Sequence, residues 1–193
     1  TSTVHDTAIG CDYGETKFYQ FFTSTSPTPT TINSVDFGHN GVIGIYNVRV
    51  NVYLSNGSMV PSNWELIGGG TAMGVTGSGI ANAPTNSDPI QNGEQYVIEI
   101  IEPSSITGDH IVSLNSSGQN APTFLISPAC GVSNLTDVET LTVAGTGAVV
   151  TVNAEAASVI VTPSGANTYE TTDQFSEGVY NLSYTATDAA GNT

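Results

Sequence analysis

Tyr46-Asn47-Val48-Arg49-Val50-Asn51-Val52-Tyr53-Leu54 is the stretch on which the fold turns. Tyr46, Val48, Val50, Val52 and Leu54 alternate with Asn47, Arg49, Asn51 and Tyr53. A period of two puts the first set on one face and the second on the other, which is a strand buried on one side. Asn56-Gly57 follows, a pair suited to a tight hairpin turn. Similar runs recur upstream and downstream with turn residues between them. Glu15 to Phe22 and Thr31 to Phe37 precede it, separated by the proline-broken Ser24 to Thr31. Trp64 to Ile67, Gln95 to Glu102, Asp109 to Leu114 and Thr123 to Ile126 follow. Gln95 to Glu102 is apolar on both faces and reads as a central strand. Residues 68 to 93 are poor in large side chains and rich in Gly, Asn and Pro, and read as a long loop or several short irregular strands.

The composition agrees with an all-β chain. Helix formers are scarce, while Thr, Val, Ile, Gly, Asn and Ser dominate. At 38 % hydrophobic over 193 residues, the chain can bury a core. Two Lys+Arg against 17 Asp+Glu give a net charge of −15, although only 10 % of residues are charged. Lys17 and Arg49 are the only cations. Phosphate binding needs clustered cations, so nucleic acid is excluded as a partner. No apolar run is long enough to suggest membrane insertion.

A second unit starts near Leu135. Glu139 to Ala144, Ala148 to Asn153, Ser158 to Thr162 and Val179 to Thr187 read as its strands. The expected organisation is an extended N-terminal linking strand (1–10), a jelly-roll-like β-sandwich (11–134) and a small immunoglobulin-like sandwich lacking its last strand (135–193). Cys11 and Cys130 are the only cysteines. In a chain of this composition they are expected to form a disulfide and to indicate secretion. Such a bridge closes a long loop and contributes about 4 kcal/mol if unstrained. Two buried free thiols are the alternative.

The sequence stops directly after the strong run Tyr180, Leu182, Tyr184 and Ala186. Asp188-Ala189-Ala190-Gly191-Asn192 reads as a hairpin turn without its return strand. Thr3-Val4-His5-Asp6-Thr7-Ala8-Ile9 at the other end could supply one, with Tyr180, Leu182, Tyr184 and Ala186 as the acceptor edge. Three arrangements fit: a head-to-tail polymer by strand addition, one repeat of a longer tandem protein, or an arbitrary boundary.

Gly178-Val179-Tyr180-Asn181-Leu182-Ser183-Tyr184-Thr185-Ala186-Thr187-Asp188-Ala189-Ala190-Gly191-Asn192 resembles the end of a hyalin-repeat or bacterial immunoglobulin-like domain. It lacks the cysteines and proline-rich opening of a true hyalin repeat. Ser116 to Val132, with Thr136-Asp137, looks like a β-sandwich module of large secreted Bacteroidetes surface proteins. That resemblance implies export, surface attachment and roles in adhesion or gliding. Asp6-Thr7-Ala8 matches the short O-glycosylation pattern of that phylum and makes Thr7 a candidate acceptor. The Asn-x-Ser/Thr sequons at Asn56, Asn115, Asn134 and Asn181 matter only in an N-glycosylating host.

Catalytic chemistry finds little support in the residues. The histidines are His5, His39 and His110, and no G-x-S-x-G elbow is present. Glu99 and Glu102 are the carboxylates that sit in a strand, with a surface or rim position expected for them. Calcium is the one candidate ion, with Asp188 and Asn192 or Asp36 and Asp12 as ligands, although no calcium-loop motif is present. No cofactor or resident metal is otherwise expected. Trp64, with Tyr13, Tyr46 and Tyr53, is a candidate glycan platform, with core packing of Trp64 as the competing role. The function expected is therefore non-enzymatic: a secreted structural or adhesive subunit at the cell surface. It assembles into a filament with copies of itself or with tandem domains. The alternative is a carbohydrate-binding accessory module of a larger secreted enzyme.

Overall fold

The computed structural model describes residues 14–104, 111–115, 121–142, 145, 147–148, 150–156, 162–165 and 168–170. In chain order the elements are β1 (Thr16–Thr23), β2 (Thr30–Leu54), β3 (Glu65–Ser87), β4 (Gln95–Glu102), β5 (Leu114–Asn115), β6 (Thr123–Ser127) and β7 (Val132–Asp137). A single helical turn α1 (Val138–Leu141) follows, then β8 (Gly147–Ala148), β9 (Val150–Ala156), β10 (Thr162–Gly165) and β11 (Thr168–Glu170). All pairings are antiparallel and the fold is an all-β sandwich. The main sheet runs β3-β2-β4-β1-β6-β7, and β9 adds to β2.

β2 joins both layers. Its second half, Arg49 to Leu54, pairs with β4, while its first half, Thr30 to Phe37, pairs with β9. β3 follows it throughout, from Leu54↔Glu65 to Ser34↔Pro84. Between His39 and Tyr46 the register slips repeatedly, so more residues lie on β2 than on β3 and the hairpin bends there. Gly41, Gly44, Gly74 and Gly77 take positive φ at this bend, a conformation that costs a residue with a Cβ. The two halves of the bent hairpin then face each other across one core. Ile32, Val35 and Phe37 from the first half of β2 meet Val48, Val50 and Val52 from the second, with Phe18, Ile98 and Ile100 beside them.

Several sequence expectations are corrected here. The stretch read as loop, 68 to 93, is mostly β3. Its glycines are a packing requirement: a Cβ on Gly68 would fall on the Asn86 carbonyl, and one on Gly70 on the Pro84 carbonyl. Backbone packs against backbone, so the usual apolar pattern is missing. The runs Thr31 to Phe37 and Tyr46 to Leu54 are parts of one strand rather than two. Glu139 to Ala144, expected as a strand, begins instead in α1, where Asp137 Oδ1 caps the turn by accepting the Glu139 N–H at 2.8 Å. Two compact units are separable, Thr1–Ala157 and Ser158–Thr193. The boundary thus lies later than residue 134, because β9 is hydrogen-bonded to β2 and belongs to the first unit. In the second unit the hairpin β10–β11 is described. The proposed linking strand (Thr3 to Ile9), Cys11 and the acceptor edge (Tyr180 to Ala186) lie outside the described residues. Among the described residues no helix is long and apolar enough to cross a membrane.

Candidate functional site

The main sheet has two faces, and only one faces the sandwich core. Strand alternation sends odd-numbered residues of β1, β2 and β4 to the other face. Register then stacks them in rows. Lys17 pairs with Ile126 on one side and Ile101 on the other, and Ile101 pairs with Arg49. The next row is Phe124, Tyr19, Glu99 and Asn51, and the third is Phe21, Val97 and Tyr53. Both cations of the chain therefore stand in one row, flanking Ile101.

Glu99 is the centre of this outer face and is only 4 % exposed. Its Oε1 accepts from the Tyr19 hydroxyl at 3.0 Å. Its Oε2 accepts from the Tyr53 hydroxyl at 2.8 Å and from Asn51 Nδ2 at 2.6 Å. Lys17 Nζ lies 3.8 Å from Oε1 and 3.2 Å from a Glu15 carboxylate oxygen. A buried carboxylate costs several kcal/mol unless it is paired and hydrogen-bonded, and here both oxygens are satisfied. Gly69 completes the arrangement: a Cβ there would crowd the Asn51 side-chain oxygen at 3.2 Å. The tyrosines register the same environment. Burial, then the charge and hydrogen bond of Glu99, push the Tyr19 phenol far above its ordinary value. Burial, then the Glu99 hydrogen bond, raise Tyr53 to about 12.

The loop between β2 and β3 covers one end of this face. Asn56 and Gly57 both take positive φ, and Ser58 N–H bonds to the Ser55 carbonyl at 2.9 Å, a two-residue turn as expected from the sequence. A 3-10 turn at Pro61–Asn63 then delivers Trp64. Its ring packs on Tyr19, Phe21 and Tyr53 at centroid distances of 5.4, 5.6 and 5.8 Å. The indole N–H donates to the Ser58 carbonyl at 2.7 Å. Trp64 is half-buried and serves as the lid of an aromatic cluster rather than as a flat open platform.

Beside the lid lies a cleft of about 400 Å³. Glu15, Lys17 and Tyr19 form its polar side, and Pro61, Ile126 and Pro128 its apolar walls. Such a cleft can receive a small ligand with both C–H faces and hydroxyls, because walls and fixed polar groups converge on one volume.

The other expected site residues are dispersed. Glu102 is on the opposite face from Glu99, is 2 % exposed, and accepts the Val112 N–H at 2.8 Å. The two carboxylates therefore cannot flank one glycosidic bond, and both are buried rather than at a rim. Asp36 accepts from Asn82 and from Asn153 at 2.9 Å. Asp12, Asp188 and Asn192, its companions in the calcium reading, lie outside the described residues. No group of three or more His, Cys, Asp or Glu able to hold a metal occurs among the described residues. His39 is buried at the hairpin bend with Nδ1 3.2 Å from the Gly77 carbonyl. His5, His110 and Thr7 are outside. Cys130 is not free. Tyr46 faces the inner core, and Tyr13 is outside. The set Lys17, Tyr19, Asn51, Tyr53 and Glu99 was not singled out from sequence. The signal was present as one carboxylate inside an otherwise apolar strand.

No family model matches the chain, and no curated protein matches it. Two solved structures do. One is the cysteine protease and lectin-like domains of Cwp84, a surface layer associated protein of Clostridium difficile, with TM-score 0.53 and 15 % identity over 74 % of this chain. The other is the clostridial cysteine protease Cwp84 after propeptide cleavage, with the same TM-score, identity and coverage. The chain spans 32 % and 36 % of those two structures, about a third of each. At this identity the likeness is one of fold.

Proposed function

We propose that this chain is a non-catalytic, surface-associated accessory module that binds a neutral, hydroxyl-rich saccharide in the outer-face cleft. The observation that carries this reading is the cleft itself. It sits on a rigid, fully satisfied polar network, so Lys17 and Glu15 are presented in fixed positions. Apolar walls from Pro61, Ile126 and Pro128 suit the C–H faces of a sugar ring, and the Lys17–Glu15 pair suits its hydroxyls. Neutrality follows from charge. Lys17 already faces two carboxylates, and a chain of net charge −15 repels anionic polymers. The fold likeness to chains that include a lectin-like domain of a surface layer associated protein supports the same reading. Microcalorimetric titration with a panel of neutral oligosaccharides tests it. Lys17→Met and Glu15→Gln are expected to weaken binding at least tenfold with an unchanged melting temperature. Equal binding by these variants would overturn the site.

The assembled form belongs to the same proposal. Strand addition of Thr3 to Ile9 to the edge Tyr180, Leu182, Tyr184 and Ala186 would string such modules into a filament. Deleting residues 1–9 is expected to abolish it, and unchanged filaments would refute that route. A Cys11–Cys130 disulfide would fasten the N-terminal segment. That Cys130 is not free supports it, and a thiol count of zero on the unfolded, unreduced protein is the expected result.

A further inference from the structure

The bent β2–β3 arm exposes large apolar side chains that the saccharide cleft does not use. Ile43, Ile45, Met73 and Ile80 are 72, 76, 71 and 52 % exposed. Their neighbours Val42, Val48, Ala72, Val75 and Ala81 are buried, so alternation places the exposed set together on the outward face of the arm. Register brings them close: Ile45 and Met73 each lie beside the Tyr46↔Val75 pair, and Ile80 pairs with Gly38.

The same arm is free of charge. No Asp, Glu, Lys or Arg occurs between Asp36 and Arg49 on β2, or between Glu65 and Asp88 on β3. In a chain with 17 acidic residues this is the surface where a like-charged body can approach at least cost. β3 is also an edge strand, with no second neighbour among the described residues. The Ile67 carbonyl already accepts the Asp88 N–H at 2.7 Å, which leaves the stretch from Thr71 to Ala83 as open edge. Proteins that stay monomeric blunt such edges with charged residues or prolines, and this stretch has neither.

We infer that this face is where two copies of the chain pair, β3 against β3, in a two-fold antiparallel contact. A second copy is the occupant that the charge pattern selects. It brings the same uncharged apolar face and the same unpaired backbone row, and both are self-complementary under a two-fold axis. Anionic lipid would meet the repulsion of the whole acidic chain. This contact is separate from the saccharide cleft and from strand addition by residues 3–9.

Sedimentation velocity of the full chain over a concentration series tests it. A monomer–dimer equilibrium is expected. It tightens as salt rises from roughly 0.02 to 0.5 M, because screening removes repulsion between the two acidic bodies. Ile45→Lys and Met73→Lys replace exposed side chains, should keep the wild-type circular dichroism, and are expected to weaken the dimer at least tenfold. A wild-type chain that stays monomeric at all concentrations overturns the proposal. So does a dimer that both lysine variants retain, or one that only deletion of residues 1–9 abolishes. Saccharide affinity measured on the same variants should not change, which separates this test from the ligand reading.

Discussion

Glu99 shows how one buried side chain can organise a face. Three donors converge on it, and each was taken from water to do so. Glu99→Gln keeps the shape and removes the charge. It is expected to lower unfolding free energy by roughly 1–3 kcal/mol in urea titration, the range for hydrogen bonds to a charged acceptor. A loss below about 0.5 kcal/mol, the usual size of an inert surface change, would show that the network is dispensable. The tyrosines give a second handle. Tyr53 rises from 10.0 to about 12 in the folded protein, and Tyr96, buried beside Glu94, does the same. The folded state therefore keeps phenolic protons that the unfolded state releases. Their stabilising contribution is complete below pH 10 and is lost as pH climbs from 10 towards 12 and beyond. Alkaline titration should find these phenolates appearing late, together with loss of near-UV circular dichroism. Simple titration of all eight tyrosines near pH 10 would contradict this. Glycines separate two physical effects. Gly70→Ala drives a methyl into the Pro84 carbonyl and should cost at least 1–3 kcal/mol, an overpacking penalty. Gly74→Ala meets nothing and should cost only about 1–2 kcal/mol for its left-handed backbone.

At the scale of the element, legibility follows from whether a strand has one apolar wall. β1, β4, β6 and the second half of β2 show period-two or continuous apolar runs because side chains form their core, and they were read nearly to the residue. β3 was not read, because Gly68 and Gly70 pack on the backbone of residues 84–87 and leave no hydrophobic signal. Bulges between His39 and Tyr46 broke the period that would have shown β2 as continuous. Thr140, Leu141 and Thr142 look like strand residues, but the Asp137 cap decides for a helical turn. The site was legible only in part. Parity places Glu99 opposite Glu102, yet that β4 lies between β1 and β2 is a non-local fact that one sequence does not carry. Trp64 was weighed as platform or packing, and its contacts favour packing. Trp64→Ala is therefore expected to lower stability by roughly 2–4 kcal/mol, somewhat under the loss for a fully buried aromatic ring. Chemical denaturation followed by far-UV circular dichroism measures it. Full stability with lost saccharide binding would restore the platform role.

For the whole molecule, the dominant facts are acidity and the placement of the only two cations. Lys17 and Arg49 share one row of one sheet face, and the charge-free arm lies elsewhere on the same sandwich. A −15 chain gains solubility from self-repulsion, and each contact surface has to be built where that repulsion is weakest. The cleft does so through a balanced Lys17–Glu15–Glu99 group, and the arm through absence of charge. Screening should accordingly act on the two surfaces differently. Saccharide binding to a balanced site should vary little with salt, while pairing of two acidic bodies should strengthen. Microcalorimetry and sedimentation in parallel salt series measure these two slopes. The decisive measurement is saccharide titration of the full chain beside its Lys17→Met variant, with both melting curves recorded. Binding of a neutral oligosaccharide by the native chain, weakened at least tenfold in an equally stable variant, is the expected outcome. Equal affinity in the two chains, or no binding across a broad neutral panel, would refute the cleft as the working surface of this module.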